Sequence, residues 1–69
     1  MTEKWIKIFS TPFLYKAEIA KSILAEQNIE SVIVNKQDSA YVSFGEIELY
    51  TQQKNTLRAL NIIKEIKYE

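Results

Sequence analysis

The chain has 69 residues, 46% hydrophobic and 12% aromatic, a composition that folds, at the lower size limit of an independent domain. Nine basic residues balance nine acidic ones, which removes the long-range field that recruits nucleic acid or an anionic membrane and disfavours both as partners. With neither cysteine nor histidine, disulfide staples, thiol nucleophiles, imidazole bases and the usual transition-metal sites are excluded, and self-association is the expected support for so small a core.

From Met1 to Trp5 there is no apolar run of signal-peptide length, and no stretch approaches the ~18 to 20 apolar residues of a membrane span. A soluble, cytoplasmic protein without a membrane partner is therefore expected, and the lack of cysteine agrees with that compartment. Lys4 to Ser10 alternates as a first strand, with Ile6 and Ile8 toward the core and Trp5, Lys7 and Phe9 on the other face.

Ser10 to Ile29 reads as one helix with its own start and stop signals. Thr11 is placed to cap the first turn, Pro12 falls at the first helical position, and Asn28 suits a left-handed stop. Phe13, Ala17, Ala20 and Leu24 recur at helical spacing, Ile19 and Ile23 widen the stripe, and Glu18, Lys21, Ser22 and Glu26 lie away from it. Glu30 to Asn35 is a second, β-branched strand: Val32 and Val34 point one way, Ser31, Ile33 and Asn35 the other.

Lys36 to Ala40 has turn chemistry around Asp38 and Ser39. Tyr41 to Phe44 suits either a loop or the start of a long strand, in which Gly45 would form a bulge. Glu46 to Tyr50 alternates as a third strand, with Ile47 and Leu49 inward and Glu46, Glu48 and Tyr50 outward. Thr51 or Gln52 opens a last helix with Thr56, Ala59, Leu60, Ile63 and Ile66 in its stripe, Leu57 and Ile62 at the edges, and Lys64 and Lys67 complementing its C-terminus.

One βαββα unit thus uses residues 1–69 as a single domain. Handedness and strand-filling rules order the sheet first, third, second, with both helices on one face: a ferredoxin-like α+β fold lacking its last strand. The first strand becomes an open edge. The uncovered face is assigned Trp5, Phe9, Ile33 and Tyr50 beside Lys7, Ser31, Asn35, Glu46 and Glu48, with Trp5 near Tyr50 and Lys7 near Glu48. So apolar a bare face predicts a homodimer or a protein partner, through the sheet face or by first-strand edge pairing, with Trp5, Lys7, Phe9, Ile33, Glu48 and Tyr50 at the interface. The competing expectation is that Phe13, Tyr41, Phe44 or Tyr68 folds back over the patch.

The pattern Trp5-x-Lys7-Ile8, Ala17-Glu18-Ile19-Ala20, Ser22-Ile23-Leu24, Gln27-Asn28-Ile29-Glu30 leading into Val32-Ile33-Val34-Asn35, Gly45-x-Ile47-x-Leu49 and Ala59-Leu60 resembles the small prokaryotic DUF2007 family over nearly the whole chain. The resemblance implies a ferredoxin-like fold related in shape to the nitrogen-regulatory PII proteins, and a proposed signal-transducing role with no established ligand or catalytic residue. Members of that family often carry glycine where this chain has Asn28. The chain has no long nucleotide-binding loop and no glycine-rich phosphate cradle, so ATP binding does not carry over.

Catalytic chemistry has little to stand on. Glu46 and Glu48, two apart on one strand face, could pair as carboxylates, but neighbouring lysines favour a salt-linked surface. Asp38-Ser39 reads as a turn. The expectation is a non-enzymatic binding or regulatory protein with no catalytic residue, cofactor or metal. The Ser10 to Phe13 turn and the Lys36 to Gly45 loop are the candidate ligand positions. The alternative is single-stranded nucleic-acid binding, with bases stacked on Trp5, Phe9 and Tyr50; Glu46, Glu48 and the zero net charge oppose it.

Overall fold

The computed structural model describes residues 4–36 and 46–68. The elements run β1 (Trp5–Thr11), α1 (Leu14–Glu26), β2 (Ser31–Asn35), β3 (Ile47–Gln52), a 3-10 turn (Gln53–Asn55) and α2 (Thr56–Lys64). β3 lies between the other strands in the order β1-β3-β2 and is antiparallel to both. This is the α+β ferredoxin-like arrangement that the sequence pattern predicts. The turn at Asp38-Ser39, the segment Tyr41 to Phe44 and the bulge at Gly45 lie outside the described residues.

Ile8, Ala20, Leu24, Ile29, Leu49 and Ala59 form the buried core, with Phe9, Ile33, Ile62, Ile63 and Ile66 packed against it. Ala17 and Ala20 are fully buried; their small side chains bring the α1 backbone close to the sheet, and Leu24 fills the space beyond. Replacing a buried leucine of this kind with alanine costs roughly 2 to 5 kcal/mol.

The stop of α1 follows its sequence signal. Asn28 has φ 62°, its N–H donates to the Ala25 carbonyl (3.0 Å) and the Ile29 N–H donates to the Leu24 carbonyl (2.9 Å). That pair of bonds, with Ile29 and Leu24 together in the core, is the Schellman arrangement. The start does not follow its signal. Thr11 is held in β1 opposite Ile47 and is buried, so the helix begins only at Leu14. The Thr11 hydroxyl instead accepts the Phe13 N–H at 3.1 Å, and Phe13, expected in the apolar stripe, is 51% exposed.

In α2 the stripe is rotated relative to the expected one. Ala59, Ile62 and Ile63 face the core, as does Ile66 just beyond the helix, while Leu60 and Leu57 are exposed. The 3-10 turn after β3 delays the helix to Thr56 and so changes which side of it meets the sheet.

β1 carries a bulge. Lys7 pairs with Tyr50 and Phe9 pairs with Leu49, leaving Ile8 as the extra residue. An extra residue breaks the period-two alternation: Ile6 and Phe9 both stand opposite inward-facing β3 residues, and Ile8 is buried as well. Phe9 is therefore on the covered side, where it stacks on Tyr68 with ring centroids 5.8 Å apart. The expectation of Phe9 on the uncovered face is corrected by that single insertion.

β2 is turned over relative to the expected facing. Ser31 lies opposite Thr51 and Ile33 opposite Leu49, on the covered side, while Val32 and Val34 lie opposite Tyr50 and Glu48. Ser31, Ile33 and Asn35 are expected on the uncovered face by alternation; Ser31 is buried instead, because Ile29, two residues earlier on the same side of the chain, is pulled into the core by the stop of α1.

Candidate interaction face

The face of the sheet away from the helices is built from alternate residues of each strand. β3 supplies Glu48 and Tyr50, β2 supplies Val32 and Val34, and β1 before its bulge supplies Trp5 and Lys7. Of the residues expected at an interface, Trp5, Lys7, Glu48 and Tyr50 come together here; Phe9 and Ile33 do not. Val32 and Val34 take their place, with Lys36 at the end of β2. The segment Ser31-Val32-Ile33-Val34-Asn35 is β-branched on both faces, so its alternation alone cannot say which set faces out; the register against β3 decides.

Trp5, Val32, Val34 and Tyr50 line a shallow hollow of about 370 Å³. Trp5 and Val32 are 40% and 41% exposed, so the hollow opens to solvent. Trp5 stands opposite Gln52 and Lys7 opposite Tyr50, one pair-step from the expected register on the same face. The expected proximities survive as diagonal contacts, which long side chains span.

Glu48 organises the polar half of the face. Its Oε1 accepts a hydrogen bond from the Tyr50 hydroxyl at 2.7 Å and lies 3.3 Å from Lys36 Nζ, while its Oε2 lies 3.6 Å from Lys7 Nζ. Both lysine side chains remain more than half exposed and the carboxylate side chain is 11% exposed. The Tyr50 hydroxyl holds the Glu48 carboxyl below the usual carboxylate range; burial opposes this, and Lys36 and Lys7 add to it. In return, donating that hydrogen bond to the Glu48 carboxylate raises the Tyr50 phenol above its ordinary value, and burial raises it further.

A carboxylate held by a phenol and two ammonium groups is a structural clamp. Two cations on one anion leave one positive charge over on this part of the face. Glu46, the other carboxylate of the expected pair, is taken up separately by Ser10, whose hydroxyl donates to its Oε2 at 2.6 Å. The two carboxylates therefore do not converge on a common point.

Among the described residues, no group of acidic side chains is placed to hold a metal ion, and no helix is long and apolar enough to cross a membrane. At the Ser10 to Phe13 turn the Phe13 N–H is already bonded to Thr11, and the Lys36 to Gly45 loop lies almost wholly outside the described residues. Compared with protein-family models, curated proteins and solved structures, the chain finds no match in any of the three.

Proposed function

We propose that this protein is a non-enzymatic binding module with a regulatory role, that it works through the uncovered face of its sheet, and that it does so as a homodimer. The observation that carries the reading is the hollow of Trp5, Val32, Val34 and Tyr50 on a face that, among the described residues, has no helix over it. A tryptophan and a valine standing two-fifths exposed beside one another keep apolar surface in water, and such patches with a charged border mark interaction sites. The resemblance to the DUF2007 family supports the regulatory part.

Sedimentation velocity from about 1 µM to 1 mM, a span that covers weak and moderate self-association, tests the oligomeric part. A concentration-dependent rise from 8.1 kDa toward twice that mass is expected; a chain that stays monomeric throughout removes the homodimer from the reading.

The nucleic-acid alternative draws on Lys7 and Lys36 beside Trp5 and Tyr50. It loses Phe9 from the stacking platform, and both lysines are already engaged by Glu48. Salt-sensitive binding of single-stranded RNA at low ionic strength, lost in Trp5→Ala, would replace the protein-binding reading.

A further inference from the structure

The sheet ends on β1 at one side and on β2 at the other, and the two edges are different. β1 carries the Ile8 bulge, a device that twists an edge out of register with any incoming strand. β2 is regular along its whole ladder with β3, and Ser31 to Asn35 contains no proline, glycine or charge. Among the described residues it carries no proline, bulge or charge within the strand to protect the edge.

The direction of its backbone groups follows from the ladder. Lys36 N–H donates to the Glu46 carbonyl at 3.0 Å, so by antiparallel alternation Val34 and Val32 bond to β3, while the N–H and C=O of Ile33 and Ser31 point away from it. The edge thus offers an outward donor and acceptor at the part-buried Ile33, while Ser31 beside it is buried.

We propose that β2 pairs antiparallel with β2 of a second copy about a two-fold axis at Ile33, joining two three-stranded sheets into one. This rests on the homodimer reading above and assigns its contact. The sequence is self-complementary about that residue: Ser31 meets Asn35 of the second copy, Val32 meets Val34, and Glu30 meets Lys36. The charged pair at each end is of opposite sign, and both residues are exposed. A slip by two residues would set Glu30 against Val34 and lose both charge pairs.

Both sides of the edge have room. On the helix side, Glu18, Lys21, Ser22, Ala25 and Ile33 line a hollow of about 420 Å³, which can take the Ile33 side chain of the second copy. On the open side, the valines of the two copies adjoin, so the two aromatic hollows become one groove across the axis. The binding face of the monomer would be half of that groove.

The chain has no cysteine, which makes thiol cross-linking clean. In the proposed pairing Val32 and Val34 of the second copy form a non-hydrogen-bonded pair with Cα atoms ~4.5 Å apart, within disulfide reach. A mixture of Val32→Cys and Val34→Cys chains under mild oxidation should give a covalent heterodimer. In the unmodified protein, exchange of the Ile33 amide should slow as concentration rises through the dimer range. Glu30→Lys, which sets like charges opposite each other twice, should weaken the dimer about tenfold. A dimer whose Ile33 amide exchanges unchanged and whose mixed thiols stay unlinked overturns edge pairing and leaves the homodimer standing. A chain monomeric to the highest concentration overturns both.

Discussion

Phe9 lies against Tyr68 with the two rings 6° from parallel, so the residues after α2 are tied to the edge strand β1. Lys16 Nζ sits 5.7 Å from the centre of the same Tyr68 ring, adding a cation to its other surroundings. This small cluster makes Phe9 part of the support of the fold, whereas Trp5, four residues earlier on the same strand, faces the open side.

That difference separates two substitutions. Phe9→Ala should cost about 2 kcal/mol, from lost packing and lost stacking, and Trp5→Ala no more than about 1 kcal/mol. Urea unfolding measures both. Equal losses would contradict the assignment of the two rings to opposite sides.

Glu48 gives stability a pH dependence of definite sign. Its folded pKa is lowered, chiefly by the Tyr50 hydroxyl, so its contribution is complete above the ordinary carboxylate pKa and is lost as pH falls through the lowered folded value. Tyr50→Phe should move the Glu48 titration up toward the ordinary range and narrow the acid-sensitive window. Carbon-13 NMR of the Glu48 carboxyl reads that shift directly; an unchanged titration in Tyr50→Phe would contradict the hydrogen bond as its main cause.

Tyr50 and Tyr68 are both raised, the first by Glu48 and the second by burial. Absorbance titration in alkali should show Tyr50 and Tyr68 ionising late. In Glu48→Gln one of the two should return toward the ordinary tyrosine range, and the other should stay.

Asn28 occupies a left-handed position at φ 62°. Asn28→Ala should destabilise by roughly 1 kcal/mol and Asn28→Gly should be near neutral, because a Cβ is disfavoured there and the amide side chain tolerates the conformation. Thermal unfolding of the pair tests it, with about 4 to 8 °C expected per kcal/mol for a domain of this size.

Thr51 and Ser31 are cross-strand neighbours, both buried, with opposite hydrogen-bond status. The Thr51 hydroxyl donates to the Glu30 carbonyl at 2.7 Å, while the buried Ser31 Oγ has no partner among the described residues. Thr51→Val should therefore cost about 1 kcal/mol and Ser31→Ala should be neutral or stabilising. A loss in Ser31→Ala as large as that in Thr51→Val, read by chemical denaturation, would contradict the assignment.

Element order, strand order and the stop of α1 were legible in the residues, because each rests on local chemistry: alternation at Glu46 to Tyr50, helical spacing from Ala17 to Leu24, and an asparagine where the chain turns left-handed. The facing of β1 and β2 was not. Period two has two phases, and nothing in Trp5 to Thr11 announces that Ile8 is inserted, nor in Ser31 to Asn35 which β-branched set turns inward. Those choices were made in three dimensions, by pairing against β3 and by packing under α1 and α2, where one residue of register exchanges Phe9 and Ile33 for Val32 and Val34 on the open face.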